Sequence, residues 1–214
     1  MDKNSVIAIL LAAGSSKRMG QNKIALPLGS STIGSYGLRQ FIKSNIEHIF
    51  VVTKEHDSLD WIDRDLFQLP NRDYWTHVQC SNANQGQSFS LKCGLTAALK
   101  MNPLGIMILL ADQPFLSIKT INEIHQNYIK RTCENPSIPF LAASFQGIPR
   151  PPIIFSTNTL PELFMLSGDE GARTLIRKQT KLEGLLVEFE NKWDFFDIDT
   201  KEAYDVAKGV EFNF

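Results

Sequence analysis

Behind the apolar run Val6 to Leu11 the chain turns into Ala12-Ala13-Gly14-Ser15-Ser16-Lys17-Arg18-Met19-Gly20-Gln21-Asn22-Lys23. Small residues let backbone N–H groups approach a ligand closely, and successive N–H groups form an anion-binding nest. Three cations, Lys17, Arg18 and Lys23, fall within seven residues. That density suits a polyanion, and a triphosphate fits. Nothing in the pattern asks for two long basic side chains on structural grounds. Five residues separate Gly14 from Gly20 and Gln21 follows, so the Walker A spacing is absent, as is Gly-x-Gly-x-x-Gly.

Two acidic stretches could complete such a site. Asp112 follows the apolar run ending at Ala111, with Pro114 stiffening the turn. A hard oxygen ligand there suits Mg²⁺, which takes one or two carboxylates plus substrate phosphates. The alternative is a turn aspartate satisfied by backbone N–H groups. In Asp197-Ile198-Asp199-Thr200 an extended backbone puts both carboxylates on one side and Ile198 on the other. Asp199 with Glu202 also makes a helix capping pair, and the two roles can coexist.

The first stretch resembles the signature Leu-Ala-Ala-Gly-x-Ser-x-Arg-Met-Gly-x-x-Lys of the molybdenum-cofactor nucleotidyltransferases, with every fixed position filled. Leu110-Ala111-Asp112-Gln113-Pro114 resembles the metal-binding motif of the molybdopterin cytidylyltransferases. Asp-Ile-Asp-Thr resembles a motif near the family's end. Gly86 to Leu91, with Ser88 and Ser90, is similar to the loop that holds the base, or is a plain helix N-cap. Gly168-Asp169-Glu170-Gly171-Ala172-Arg173 is similar to Gly-Asp-x-Gly-Ala-Arg on the acceptor side, or is an ordinary capped helix start. The family's Gly-x-x-Gly-His-Pro stands here as Gly147-Ile148-Pro149-Arg150-Pro151-Pro152. Arg150 replaces the usual Gly and Pro151 the usual His, which leaves the acceptor's identity open.

This resemblance, from Ile9 to Tyr204, implies transfer of CMP from CTP to the terminal phosphate of molybdopterin, with release of pyrophosphate. Arg18 and Lys23 would be catalytic. Leu11, Ala12, Ala13, Gly14, Ser15, Ser16, Gly86, Ser88 and Ser90 would bind nucleotide. Asp112 with Asp199 or Asp197 would hold Mg²⁺, with Mn²⁺ as the alternative, and Gln113, Asp169 and Arg173 would meet the acceptor. The partners implied are CTP, a molybdopterin-type acceptor and a molybdoenzyme client such as xanthine dehydrogenase in purine catabolism. Ala12-Ala13-Gly14, where guanylyltransferase relatives read Ala-Gly-Gly, implies CTP over GTP. Two other readings stay open: a nucleotidyltransferase for another phosphorylated acceptor, a sugar or isoprenoid precursor, and a non-catalytic molybdoenzyme chaperone. The Asp-Gln-Pro motif counts against the first. Intact Arg18, Lys23 and Asp112 count against the second.

These residues need a frame. Strands at Val6–Leu11, Ile49–Thr53, His77–Cys80 and Gly105–Ala111 alternate with helices at 32–45, 57–67, 88–100 and 117–131, which predicts an α/β fold. The fold class expected is a three-layer, mostly parallel (mixed) sheet with helices on both faces, which the resemblance implies to be a Rossmann-like nucleotidyltransferase fold, as one domain over 1–214. Strands at Phe140–Phe145, Pro152–Phe155, Leu185–Phe189 and Phe195–Ile198, with helices at Pro161–Leu166, Glu170–Gln179 and to Lys208, complete the prediction. In such sheets ligands bind outside the carboxyl ends of the strands, where the Gly14 loop, the 81–88 loop and Asp112 all fall.

The chain has 214 residues and a net charge of −1, so no broad basic field calls for nucleic acid. Cys80, Cys93 and Cys133 are odd in number and lack Cys-x-x-Cys, which predicts buried reduced thiols. His48, His56, His77 and His125 lack metal-ligand spacing. The apolar run Val6 to Ala13 is too short for a membrane span and has no cleavage region, which predicts a cytoplasmic protein.

Overall fold

The computed structural model describes residues 5–16, 19–178 and 182–210. The described residues form nine strands, β1 (Val6–Leu11), β2 (Pro27–Leu28), β3 (Ser31–Thr32), β4 (His48–Lys54), β5 (Trp75–Cys80), β6 (Gly105–Leu110), β7 (Phe140–Phe145), β8 (Ile148–Ser156) and β9 (Leu185–Glu188). Seven of them form one mixed sheet in the order β5-β4-β1-β6-β8-β7-β9, and β2 and β3 make a small separate hairpin. β5, β4, β1 and β6 run parallel; β8 is antiparallel to β6 and β7, and β9 is parallel to β7.

All six residues of β1 are buried, as a central strand covered on both faces requires. Ile7, Ile9 and Leu11 pack with helix α2 (Gln87–Ala98) on one face. Val6, Ala8 and Leu10 pack with α1 (Ile33–Ile42) and α3 (Ile118–Glu134) on the other. The short helices α4 (Leu160–Phe164) and α5 (Ala172–Lys178) join the α2 face. Fully burying one such Ile or Leu is worth about 1.5–3 kcal/mol, so these faces carry the fold. Gly94 lets α2 lie close on the sheet: a Cβ there would come 2.5 Å from Ile9 Cγ2.

Side-chain caps start the helices where polar residues precede the apolar period. Thr32 accepts from Ser35 N at 3.1 Å and Ser117 from Thr120 N at 3.1 Å. Thr200 accepts from Ala203 N at 3.2 Å and opens α6 (Lys201–Lys208).

The expected helix over 57–67 does not form. Asp57 Oδ1 accepts from Leu59 N at 2.9 Å and Trp61 Nε1 at 3.2 Å, and Ser35 Oγ donates to the Trp61 carbonyl at 2.7 Å. Those local bonds compete with a helical ladder, and only a 3-10 turn, Arg64–Phe67, remains. The expected strand Phe195–Ile198 is likewise a 3-10 turn, Lys192–Phe195, followed by irregular chain. α1 stops at Ile42, three residues early. β8 begins at Ile148 rather than Pro152, with a register shift at Ala142/Ala143 that absorbs the prolines. The helix expected over 170–179 starts at Ala172, and Gln179 lies outside the described residues.

Only Cys80 is fully buried; Cys93 is half-buried and Cys133 is exposed on α3, so burial does not extend to all three thiols. Burial, then the neighbouring Cys80, pushes the Cys93 thiol up to about 12. Among the described residues no helix is long and apolar enough to cross a membrane.

Candidate active site

A cleft of about 540 Å³ opens at the carboxyl ends of β1 and β6. Leu11, Ala12, Ala13, Gly14, Ser15 and Ser16 form one wall directly as β1 ends. The strand's last bonds fix that wall: Ala12 N donates to the Val52 carbonyl at 2.8 Å and Ala111 N to the Leu11 carbonyl at 3.2 Å. Ser16 takes a φ of 46°, and its carbonyl accepts from Met19 N at 2.9 Å. Ser16 Oγ then accepts from Lys23 N at 3.2 Å, so the loop folds back and delivers Lys23 to the cleft. Lys17 and Arg18 lie outside the described residues.

Lys23 is 9% exposed. Its ammonium stands between two carboxylates, paired with Asp112 Oδ2 and with Asp199 Oδ1, the latter at 2.6 Å. Burial alone would lower its pKa, but the two aspartates outweigh burial and raise it. Lys23 therefore has a structural partnership that its sequence context did not suggest.

Asp112 sits two residues past the end of β6. Its Oδ1 is buried without a hydrogen-bond partner among the described residues. That is not the arrangement of a turn aspartate satisfied by backbone N–H groups. A buried, unpartnered carboxylate oxygen is the donor a hard cation seeks. Asp112 and Asp199 fit a cation that draws its remaining ligands from substrate phosphates; among the described residues no group of three or more His, Cys, Asp or Glu forms a self-sufficient metal cage.

Asp199 reaches this point from the far end of the chain by three ties. Asp194, 3% exposed, accepts from Ser117 N at 2.9 Å and from Thr120 Oγ1 at 2.7 Å. Ile198 is fully buried, and its N–H donates to the Asp112 carbonyl at 3.0 Å. Thr200, not Asp199, caps α6, which leaves the Asp199 carboxylate to Lys23.

Asp197 turns elsewhere. Gln113 Nε2 donates to its Oδ1 at 2.8 Å, and Arg150 Nη1 lies 3.8 Å from its Oδ2. Burial, reinforced by the Asp112 charge, lifts the Asp197 pKa to about 6. The two carboxylates expected on one side thus serve different neighbours, because the 196–199 segment is irregular rather than strand.

The opposite wall is the loop before α2. Ala83, Asn84, Gln85, Gly86, Gln87 and Ser90 line the cleft. Ser88 does not: it is fully buried, and its N and Oγ both donate to the Gly168 carbonyl, at 3.1 and 2.9 Å. Its role is to clamp this loop to the 168–171 turn. Gly86 makes the clamp possible, with a φ of 130° and no room for a Cβ, which would lie 2.2 Å from Gly168 backbone atoms. Asp169, expected near the acceptor, lines this same cleft beside the Gly14 loop.

A second cavity, about 290 Å³, adjoins the first through Leu11, Gln87, Leu110, Asp112 and Asp199. Gln113, Arg150, Arg173 and Asp197 supply its polar lining. A third, about 320 Å³, lies on the other side of the Gly14 loop and includes Lys54 and Asp57 at the end of β4. Sequence reasoning assigned neither residue to the site, taking Asp57 as a helix start, although the edge rule for parallel sheets points to whatever follows a strand neighbouring β1. It also missed Asp194 and the backbone of Ile198, which no motif marks. None of the four histidines lines these cavities.

A profile of the MobA-like NTP transferase domain matches residues 8–183. Over 204 residues the chain is 39% identical to the purine catabolism protein PucB of Bacillus subtilis (strain 168), covering 95% of this chain and 96% of that protein. The crystal structure of Rv0371c from Mycobacterium tuberculosis H37Rv superposes with a TM-score of 0.77 at 21% identity, over 97% of this chain and 100% of that one. The complex of Rv0371c with manganese does so with a TM-score of 0.64 at 18% identity, over 97% and 100%. The strand order, the Gly14 loop and these matches agree: the chain belongs to the MobA-like NTP transferase family.

Proposed function

We propose that the protein transfers CMP from CTP to the terminal phosphate of molybdopterin and releases pyrophosphate, supplying a molybdoenzyme such as xanthine dehydrogenase in the cytoplasm. The observation that carries this reading is the Lys23 ammonium between Asp112 and Asp199, where a nucleotide-sized cleft meets a second cavity. A two-substrate transfer needs that junction. The likeness to a purine catabolism protein supports the client.

In this reading the N–H groups of Gly14 to Ser16 cradle the triphosphate, and Arg18 and Lys23 neutralise charge as pyrophosphate departs. Polar groups of the Asn84–Ser90 wall hold the base. A site that hydrogen-bonds one base leaves buried groups unpaired with another, and this favours CTP over GTP. Asp112 and Asp199 would hold Mg²⁺, or Mn²⁺ as in the related mycobacterial complex. The cation supplies charge neutralisation at the reacting phosphates.

The acceptor phosphate is mostly dianionic near neutral pH, because its second pKa is about 6, so no general base is required. Its oxygen forms a bond to the α-phosphorus. The bond from that phosphorus to the α–β bridging oxygen breaks, and pyrophosphate leaves with the electron pair. The chain's work is to bring two anions together and hold them in line.

The test is pyrophosphate release with each of the four nucleoside triphosphates, with and without molybdopterin. Release that requires CTP and molybdopterin together is expected; a GTP preference, or release with no dependence on molybdopterin, refutes the assignment. A different phosphorylated acceptor is the second reading, favoured by Arg150 and Pro151 where relatives carry Gly and His, and the same assay with sugar and isoprenoid phosphates decides it.

A further inference from the structure

Two guanidinium groups converge on the second cavity from opposite elements, Arg150 from β8 and Arg173 from the first turn of α5. Neither makes a hydrogen bond to a described residue. Among the described residues Arg150 Nε is buried without a partner, and its Nη1 has only the loose 3.8 Å contact with Asp197. Of the three carboxylates that line the cavity, Asp112 and Asp199 are paired with Lys23, and Asp197, the one beside the guanidinium groups, is held by Gln113, itself 1% exposed. With Lys23 offsetting one charge of the Asp112–Asp199 pair, the excess positive charge lies at the other end, where two guanidinium groups face the single carboxylate of Asp197. Burial first, then the like charges of Arg177 and Arg150, lowers the Arg173 pKa, as expected of crowded cations.

The backbone explains how Arg150 gets there. β8 pairs with β6 only as far as Ile108↔Ile153, and with β7 it skips from Ala142↔Ile153 to Ala143↔Arg150. Pro151 and Pro152 are the extra residues. Such irregularities re-aim a side chain beside a site. Here Arg150 is brought to the carboxyl end of β6, next to the Asp112 turn.

We propose that Arg150 selects the acceptor: together with Arg173 it binds a phosphomonoester dianion in the second cavity, releasing Asp197, and so presents a phosphate oxygen to the nucleotide in the adjoining cleft. Two planar guanidinium forks match the charge and geometry of one phosphate. The free protein meanwhile keeps Asp197 as a weakly held stand-in for that anion. This inference rests on the phosphate-accepting reaction above but not on molybdopterin being the acceptor.

The experiment uses methyl phosphate as the probe, titrated into protein saturated with a non-hydrolysable CTP analogue and Mg²⁺, so that the triphosphate site is already filled. Arg150→Ala should weaken methyl phosphate binding by about ten- to a hundredfold, the loss of one charge-assisted pair. Arg150→Lys should restore part of it, and affinity for the CTP analogue should stay within about twofold. In steady-state assays with molybdopterin the loss should appear in the acceptor KM and not in the KM for CTP. Unchanged methyl phosphate binding in Arg150→Ala, no methyl phosphate binding by the unsubstituted protein, or an equal loss of CTP-analogue affinity overturns the proposal. Arg150-dependent methyl phosphate binding without turnover of molybdopterin supports it while removing molybdopterin as the acceptor.

Discussion

Replacing Lys23 with Ala removes the cation that separates Asp112 from Asp199. Losing one electrostatic stabiliser of a departing group costs roughly 3–4 kcal/mol, about a hundredfold or more in turnover. The fold also loses something, because two carboxylates are left facing each other and Asp112 Oδ1 already lacks a partner among the described residues. Breaking a fully buried pair costs about 3–5 kcal/mol. Here the side chains of Asp112 and Asp199 keep 19% and 36% exposure, so water screening reduces the cost to about 1–2 kcal/mol. For a chain of this length each kcal/mol moves Tm by about 2–4 °C, giving a drop of about 2–8 °C in metal-free buffer. Adding Mg²⁺ should recover more Tm in Lys23→Ala than the same addition gains in the unsubstituted protein, where the cation must first displace the ammonium. Pyrophosphate release and thermal unfolding across a Mg²⁺ series measure both effects. Near-normal turnover, or identical Mg²⁺ dependence of Tm in the two proteins, would refute the reasoning.

Asp112→Asn should abolish Mg²⁺-dependent activity, since the amide keeps the size but not the charge; recovery at ordinary Mg²⁺ in a metal titration would remove Asp112 from the metal site. Gly86→Ala sets a Cβ 2.2 Å from the Gly168 backbone at a φ of 130°, and should cost about 2–4 kcal/mol and weaken CTP binding. Unaltered Tm and CTP affinity would show that the two loops need not touch. Asp194→Ala touches no substrate, yet it unties the segment that carries Asp199, so kcat should fall at least about tenfold with a lower Tm. A Tm loss with kcat intact would mean that Asp199 is placed by other contacts.

The centre of the sheet was legible because burial leaves a plain mark. β1 and β6 are unbroken apolar runs, and runs of that kind belong to strands covered on both faces. Thr32 and Ser117 announced their helices for a similarly local reason. The Gly14 loop and Asp112 followed from those strands, since each is the first polar chemistry past a strand end. What stayed hidden depends on partners distant in sequence. Nothing local says that Asp57 will trade a helix for bonds to Leu59 and Trp61. Nothing in Asp-Ile-Asp separates Asp199 from Asp197; the division appears only when Ile198 is buried and its N–H meets the Asp112 carbonyl. Ser88 looked like a ligand for nucleotide because its real partner, the Gly168 carbonyl, lies 80 residues on.

The bond from Lys23 to Asp199 spans 176 positions, and this sets when in its synthesis the protein acquires its chemistry. Translation at about 5–20 residues per second exposes the Gly14 loop early, while the strand that flanks β1 on the Asp112 side, β6, emerges several seconds later. Asp199 comes later still, on a segment that Asp194 ties to α3 and the Ile198 N–H ties to the Asp112 turn. A nascent or truncated chain can therefore present the Gly14 loop without the second carboxylate. On the proposed function, such a fragment would shelter a nucleotide without being equipped to spend it.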